Sequence, residues 1–442
     1  MTFYIGIDFG TSGARLILIN TQSEIYFEIE QSFIAPSSAK EWPLTWKTTL
    51  FNLIKKIPVK LRRQVNRIAI NGTSATVLLC DHTGVPVNAP IFYDDGRGVE
   101  VIAQVRAIAP QDHPVQSATS SLAKLLWWKQ QIKQAKTQES QSLKLPADQS
   151  LYFLHQADWL GFLLHGKIGI SDYHNALKLG YDVANLCYPQ WLIEGVDLGS
   201  KLSIQLPKVL APGTPIGSVT SAVCQAFSLP NNCQVCAGTT DSIAAFLASG
   251  ATTPGEAVTS LGSTLVIKLL SQTRVDQAEY GIYSHRCGNL WLTGGASNTG
   301  GAVLRHYFKD EQLRNLSQQI DPHQTSPLDY YPLLKPGDRF PINDPNLAPR
   351  LEPHPENDVE FLHGLLESMA RIEAQGYERL QQLGATPLKQ VYTAGGGAKN
   401  TVWAAIRQRY LQVPIIKPIH TAAAYGTALL ALRGLSGGIL EE

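Results

Sequence analysis

No stretch of this chain stays apolar for the roughly 18 residues that a helical membrane span needs. An excess of one charge is missing too. Lys and Arg total 37 against 36 for Asp and Glu, a net charge of +1, which gives no basic field for nucleic acid and no cationic face for a membrane. The six cysteines are scattered over 442 residues, whereas a disulfide scaffold is short and cysteine-dense. Cys233-Gln234-Val235-Cys236 has the spacing of a redox pair or half a zinc site, but no second pair accompanies it. It lies in an apolar stretch running into Ala237-Gly238 and reads as a buried strand with reduced thiols. Neither a basic-then-apolar secretory leader nor an Arg/Ser-rich transit segment is visible. The expectation is a cytoplasmic protein, or a mature form already trimmed.

What is present describes a well-packed globular chain, 44% hydrophobic and 17% charged. Its length exceeds one ordinary core, so two domains are expected. Alternation predicts a hairpin from Phe3 to Asn20 with a Gly-rich turn, a third strand at Tyr26–Glu30, a helix at Leu44–Lys56 and strands at Ile68–Ile70 and Val77–Asp81. Three-to-four spacing predicts helices at Leu122–Gln134 and Ala157–Leu164, with Trp127, Trp128 and Trp159 as core. After the turns of Leu210–Gly217 a new α/β run begins, with a strand ending at Gly238 and a helix at Ser242–Ser249. A hairpin, Ala257–Leu261 and Leu265–Leu270, follows. The polar stretch Asp321–Pro355 reads as loop, Phe361–Leu383 as a long helix, and Gln390–Ala394 as a strand entering glycines before a helix at Asn400–Leu411. An Ala-rich helix at Thr421–Leu432 closes the pattern. Strand, hydroxyl-rich glycine turn and strand thus occur twice, near residue 10 and near residue 263, as expected of duplicated domains.

Backbone N–H groups at tight glycine turns, with nearby hydroxyls, hold phosphate well. Gly10-Thr11-Ser12-Gly13 offers such a turn, and Asp8 at the strand end is placed for a hydrated magnesium ion. Gly262-Ser263-Thr264 repeats the donors without the carboxylate; each has a competing reading as a plain turn, and the second, taken alone, is more often that. The run Gly395-Gly396-Gly397-Ala398-Lys399-Asn400 lets a flat ring or phosphate approach the backbone, but is neither a P-loop nor a Rossmann glycine pattern. Asp241, at a strand-to-helix junction, reads either as a helix cap or as a general base for an attacking hydroxyl. Ile91-Phe92-Tyr93-Asp94-Asp95-Gly96-Arg97 joins an aromatic to carboxylates and an arginine, as a polyol site or a solvated turn would.

Taken in order, these segments resemble the FGGY carbohydrate kinases of the actin-like ATPase superfamily. The likeness includes Ser121-Leu122-Ala123-Lys124-Leu125-Leu126-Trp127, similar to the family's signature helix, and Asp172 to Trp191. It implies an α/β fold of two actin-like, ribonuclease H-like domains, each a mixed β-sheet flanked by helices, with the active site in the cleft between them. The domains would be 1–248, completed by the C-terminal helix 422–442, and 249–421. It implies ATP and Mg²⁺ as cofactors, with Asp8 at the metal through water and Gly10, Thr11 and Ser12 at the terminal phosphates. Gly262, Ser263 and Thr264 would form the second phosphate loop, and Gly396, Gly397, Ala398 and Asn400 would line the adenosine pocket. Asp241 would be the catalytic base, and Asp8, Ser74, Asp95 and Asp241 would face the sugar. Xylulose-specific members commonly read Gly-Gln-Met-His-Gly where this chain has Gly72-Thr73-Ser74-Ala75-Thr76. With its shorter length, this makes the chain most similar to the plant and cyanobacterial branch associated with D-ribulose. Other acceptors (D-xylulose, glycerol, other polyols) and an actin-like nucleotide switch stay open at this stage.

Overall fold

The computed structural model describes residues 1–137, 150–196 and 204–435. The chain divides into two units: Met1–Ala248 with the C-terminal segment from Ala422, and Ser249–Thr421. Positions 436–442 of the expected C-terminal helix lie outside the described residues.

In the first unit, β1 (Phe3–Phe9) and β2 (Gly13–Asn20) form an antiparallel hairpin, and β3 (Ile25–Ser32) extends it. On the other side of β1 lies β4 (Val65–Gly72), parallel to it. β5 (Pro215–Ser218) and β6 (Gln234–Cys236) continue the sheet, giving the order β5-β6-β4-β1-β2-β3, and β7 (Thr239–Thr240) also pairs with β4. The central strands are buried on both faces (Ile5, Ile7 and Ile68 have no exposure), so helices must cover each side. The helix Trp42–Lys56 packs Trp46, Leu50, Leu53 and Ile54 into the core formed with Phe3, Ile5 and Ile7. The Ala-rich helix Ala423–Arg433 packs differently, with its backbone nearly touching two neighbours. A Cβ on Gly6 would lie 2.1 Å from the Ala428 nitrogen, and one on Gly426 would lie 1.9 Å from the Ala244 oxygen. Small residues are what allow this helix to sit between β1 and the helix Asp241–Ala248.

The second unit repeats this plan. β8 (Glu256–Leu261) and β9 (Leu265–Ser271) form a hairpin. β10 (Tyr283–Cys287) and β11 (Leu290–Ser297) extend it, while β12 (Gln390–Ala394) runs parallel to β8 and is followed outward by β13 (Ile415–Ile416). Hairpin, third antiparallel strand and parallel partner of the first strand recur in the same order, so the expected duplication is present in the topology. The helix Asp358–Gln382 covers this sheet with Phe361, Leu362, Leu365, Leu366, Met369, Tyr377 and Leu380. Burying each such side chain contributes about 1.5–3 kcal/mol.

Three expectations need correction or extension. Trp127 lies at the edge of the core and not inside it: one position from the buried Trp128 it turns about 100° around the helix, and there it packs partly buried against the core while its Nε1 donates to Glu100 (3.0 Å) and Arg97 stacks on its ring (4.7 Å). The Asp321–Pro355 stretch is irregular, as a loop should be, but part of it packs inward. Phe340 is fully buried, filling the space against Gly295 and Gly376, and Asp338 accepts from Tyr331, Ser297 and the Asn298 N–H. The strand Leu151–His155 and the hairpin β10–β11 went unpredicted; a histidine or paired glycines interrupt their apolar alternation. Cys233 and Cys236 are buried, as expected, and burial pushes their thiols up to about 12 and about 11.

Candidate functional site

Parallel strands deliver their C-terminal ends to one edge of a sheet, and in the first unit the register does this residue by residue. Asp8 on β1 is level with Asn71 on β4, and Asn71 with Thr239 on β7. The Gly10–Gly13 turn, the Thr73–Thr76 loop and Asp241 therefore emerge from three neighbouring strand ends. The turn is closed by the Gly10 N–H donating to the Gly13 oxygen (3.0 Å), and Thr11 and Ser12 are exposed. Asp241 is the first residue of its helix, and its Oδ1 accepts from the Ser242 N–H (2.7 Å). Carboxylate and helix N-terminus attract each other, so the local role is real, yet the side chain is only partly covered.

Asp8 and Asp241 interact. Burial, then the Asp241 charge, hold the Asp8 carboxyl up to about 7; Arg15 and an Asn71 hydrogen bond act in the opposite direction. Arg15, level with Asp8 on β2, also pairs with Glu30 and Glu28 across the sheet. Asp8 Oδ1 and Asn71 Oδ1 are buried and accept no hydrogen bond, while the Asn71 amide nitrogen donates to Thr427 (2.6 Å). Two carboxylates and unsatisfied oxygens at one sheet edge fit a hydrated magnesium ion, which keeps several waters and takes one or two carboxylates.

A stability prediction follows from the raised Asp8 value. The unfolded chain loses this proton near 3.8 and the folded chain near 7, so stability falls as pH rises between those values and is level above them. With chelator present, Asp8→Asn melts at a higher temperature than the parent at about pH 8, and the gain shrinks toward pH 4. A lower melting point at pH 8 would contradict the buried-charge account.

The loop after β4 is tightly wired. Thr73 and Thr76 hydroxyls bond each other (2.6 Å), and Gln156 Oε1 accepts from the Thr73 N–H (3.0 Å). Ser74, half-buried, occupies the turn between them. Asp95 is clamped by Arg97 through two bonds, 2.9 and 2.6 Å, which hold its carboxyl below the ordinary range. Asp94 and Tyr93 beside it are exposed.

The second unit holds the remaining loops. Ser260 on β8 is level with Ala394 on β12, so the Gly262 and Gly395 loops leave adjacent strand ends. Gly395 has φ +84, and a Cβ there would lie 2.6 Å from the Leu261 oxygen; this closeness requires glycine. Gly396–Lys399 form a single 3₁₀ turn. The Asn400 side chain caps Thr401–Leu411 through the Trp403 N–H (3.0 Å) and donates to Ser317 (2.9 Å), so its amide serves the fold directly. Sequence reading missed Asn298-Thr299-Gly300-Gly301 and Arg305. The Gly301 and Ala302 N–H groups donate to the Gly262 and Ser263 oxygens (2.9 and 3.0 Å), and Arg305 donates to Ser263 Oγ (3.0 Å). The paired glycines before a helix were the available signal.

Two mixed sheets, each with glycine turns at its strand ends, define a two-domain α/β fold that solved carbohydrate kinases share. Solved structures sharing it include a xyloylose kinase from Brucella ovis, with TM-score 0.83 and 21% identity over 98% of this chain and 91% of that one. A xylulose kinase from Lactobacillus acidophilus gives TM-score 0.81 at 15% identity, over 98% of this chain and 89% of that one. The chain belongs to the FGGY family of carbohydrate kinases, whose N-terminal domain model matches residues 3–248 and whose C-terminal domain model matches 257–435. The xylulose kinase of Escherichia coli (strain K12) is 23% identical over 421 residues, covering 90% of this chain and 83% of that protein. It is thus an ATP-dependent carbohydrate kinase. Among the described residues no helix is long and apolar enough to cross a membrane.

Proposed function

We propose that this kinase transfers the γ-phosphate of ATP to the primary hydroxyl of a ketopentose, converting D-ribulose to D-ribulose 5-phosphate. The observation that carries the choice of sugar is the loop after β4. Where an imidazole wall would stand, small hydroxyls occupy Gly72–Thr76, with Thr73 and Thr76 bonded to each other and Ser74 at the turn. The relatives named above favour a second reading, D-xylulose, since the one from Escherichia coli is a xylulose kinase.

Phosphoryl transfer asks for alignment and charge stabilisation. Asp241 accepts the proton of the attacking hydroxyl, and its position at a helix start keeps the carboxylate oriented. The Gly10–Ser12 and Gly262–Thr264 turns offer N–H groups and hydroxyls to the phosphates, and Gly396, Gly397 and Ala398 accept the adenosine. Asp8, with Asn71 beside it, would hold Mg²⁺ through water, and the ion would neutralise charge on the phosphate oxygens. Ser74 and Asp95 orient the sugar.

A screen of D-ribulose, D-xylulose, glycerol and other polyols for sugar-dependent ADP release tests this. D-Ribulose is expected to give the highest kcat/KM, by about tenfold or more over its epimer, since a site built to hydrogen-bond hydroxyls rejects a misplaced one. A better result with D-xylulose establishes the second reading instead.

A further inference from the structure

Lys124, on the helix Ser121–Thr137, has no solvent exposure, yet its ammonium makes its hydrogen bonds to backbone rather than to a carboxylate. Nζ donates to the Ala75 oxygen (2.8 Å) and to the Phe92 oxygen (2.6 Å). A buried cation is costly unless its bonds repay desolvation, and a methionine of similar volume would fill the same space. What the ammonium adds is a tie between two loops distant in sequence. One loop carries Ser74; the other carries Asp94 and Asp95.

Each anchor is itself held. Ala75 has φ +63, a left-handed conformation that non-glycine residues adopt at a cost, so the bond to its carbonyl restrains a strained turn. The Phe92 ring lies against Trp42 and Trp46, with centroids 5.5 and 5.7 Å away. The helix is pinned at its start, where Ser121 Oγ meets His155 Nε2 and His155 Nδ1 meets Asp158, both at 3.0 Å. This Ser-His-Asp chain is buried and serves to hold the helix. The charges that act on Lys124 are those of Asp95, Lys178, Asp94 and Arg97.

We propose that Lys124 is a positioning residue for the kinase reaction, fixing the spacing of the Ser74 and Asp94–Asp95 loops and hence the grip on the sugar; this rests on the reading of those loops as the sugar side. Lys124→Met keeps the stem and removes the donors, while Lys124→Arg keeps a charged donor. Leu50→Ala, a cavity in the fully buried core of the same unit, serves as a destabilised control. KM for D-ribulose and D-xylulose, KM for ATP and the melting temperature are measured for each.

In Lys124→Met the sugar KM rises at least about tenfold while the KM for ATP changes less than about twofold, as expected when a remote change loosens substrate alignment. Lys124→Arg recovers part of the loss, and Leu50→Ala lowers the melting temperature with both KM values unchanged. If Lys124→Met lowers the melting temperature but leaves the sugar KM unchanged, the lysine only holds the fold and the inference is overturned. Should the methionine variant not fold, Lys124→Arg decides: a raised sugar KM supports the role, an unchanged one overturns it. Ser74→Val and Asp95→Asn separate the two levels. If they raise the sugar KM and Lys124→Met does not, only the inference fails; if none of the three does, the sugar-side reading fails as well.

Discussion

Asp241→Asn lowers kcat for sugar phosphorylation by roughly 10²–10⁴-fold, the range that a positioned general base contributes. Asparagine is chosen because it caps helices as well as aspartate does. The helix Asp241–Ala248, wedged beneath Ala423–Arg433, therefore stays folded and only the proton acceptor is lost. Loss of an interaction made in the transition state reduces kcat and kcat/KM together, so the sugar KM changes little. The substitution also removes the Asp241 charge that raises Asp8, whose carboxyl then titrates lower. If Asp241 were merely a cap, the asparagine variant would keep nearly full activity; retention above about a tenth of the parent rate would end its assignment as base.

Arg407→Met destabilises the second unit by about 3–5 kcal/mol, the usual effect of stranding one member of a buried ion pair. Arg407 binds Glu373 twice, at 2.6 and 2.7 Å, and its third contact is Thr393 Oγ1 at 2.8 Å. Glu373 also accepts from Thr259, whose hydroxyl meets Tyr377 at 2.8 Å. Both partners are essentially unexposed. Thr259 and Thr393 are level on β8 and β12, just before the Gly262 and Gly395 loops. The network thus sits under the Gly262 and Gly395 loops, which the proposed function assigns to the nucleotide, and on that assignment the variant is expected to bind ATP more weakly as well as to unfold at lower denaturant. Replacing both partners, Arg407→Met with Glu373→Leu, removes the stranded charge and recovers most of the stability. A single variant within about 1 kcal/mol of the parent would mean that water or another group satisfies Glu373.

Much of this is legible in the sequence alone. The strand-turn-strand segments at Gly10 and Gly262, the strand into Gly395 and the helix starting at Asp241 rest on alternation, glycine position and capping chemistry, all local signals. The duplicated hairpin was visible because both copies keep their turn residues together. Trp127 sits at the core's edge, not inside it, and apolar spacing cannot say which of two adjacent tryptophans is fully buried when an arginine distant in sequence offers a stacking partner. Asp321–Pro355 was read as polar loop because nothing local reveals that Phe340 and Asp338 turn inward against Gly295 and Ser297.

The sequence by itself determined the elements, the glycine turns at the strand ends and the identity of the acid groups, since these follow from neighbours within a few positions. Only the tertiary structure decided what those groups experience. The raised Asp8 carboxyl needs burial within the folded unit and then the charge of Asp241, more than two hundred positions away. The same holds for Lys124, an ordinary helix residue in the sequence, which gains its partners only when two separate loops fold onto it. Electrostatic environment and hydrogen-bond partnership depend on distance in space, and chain separation carries almost no information about that.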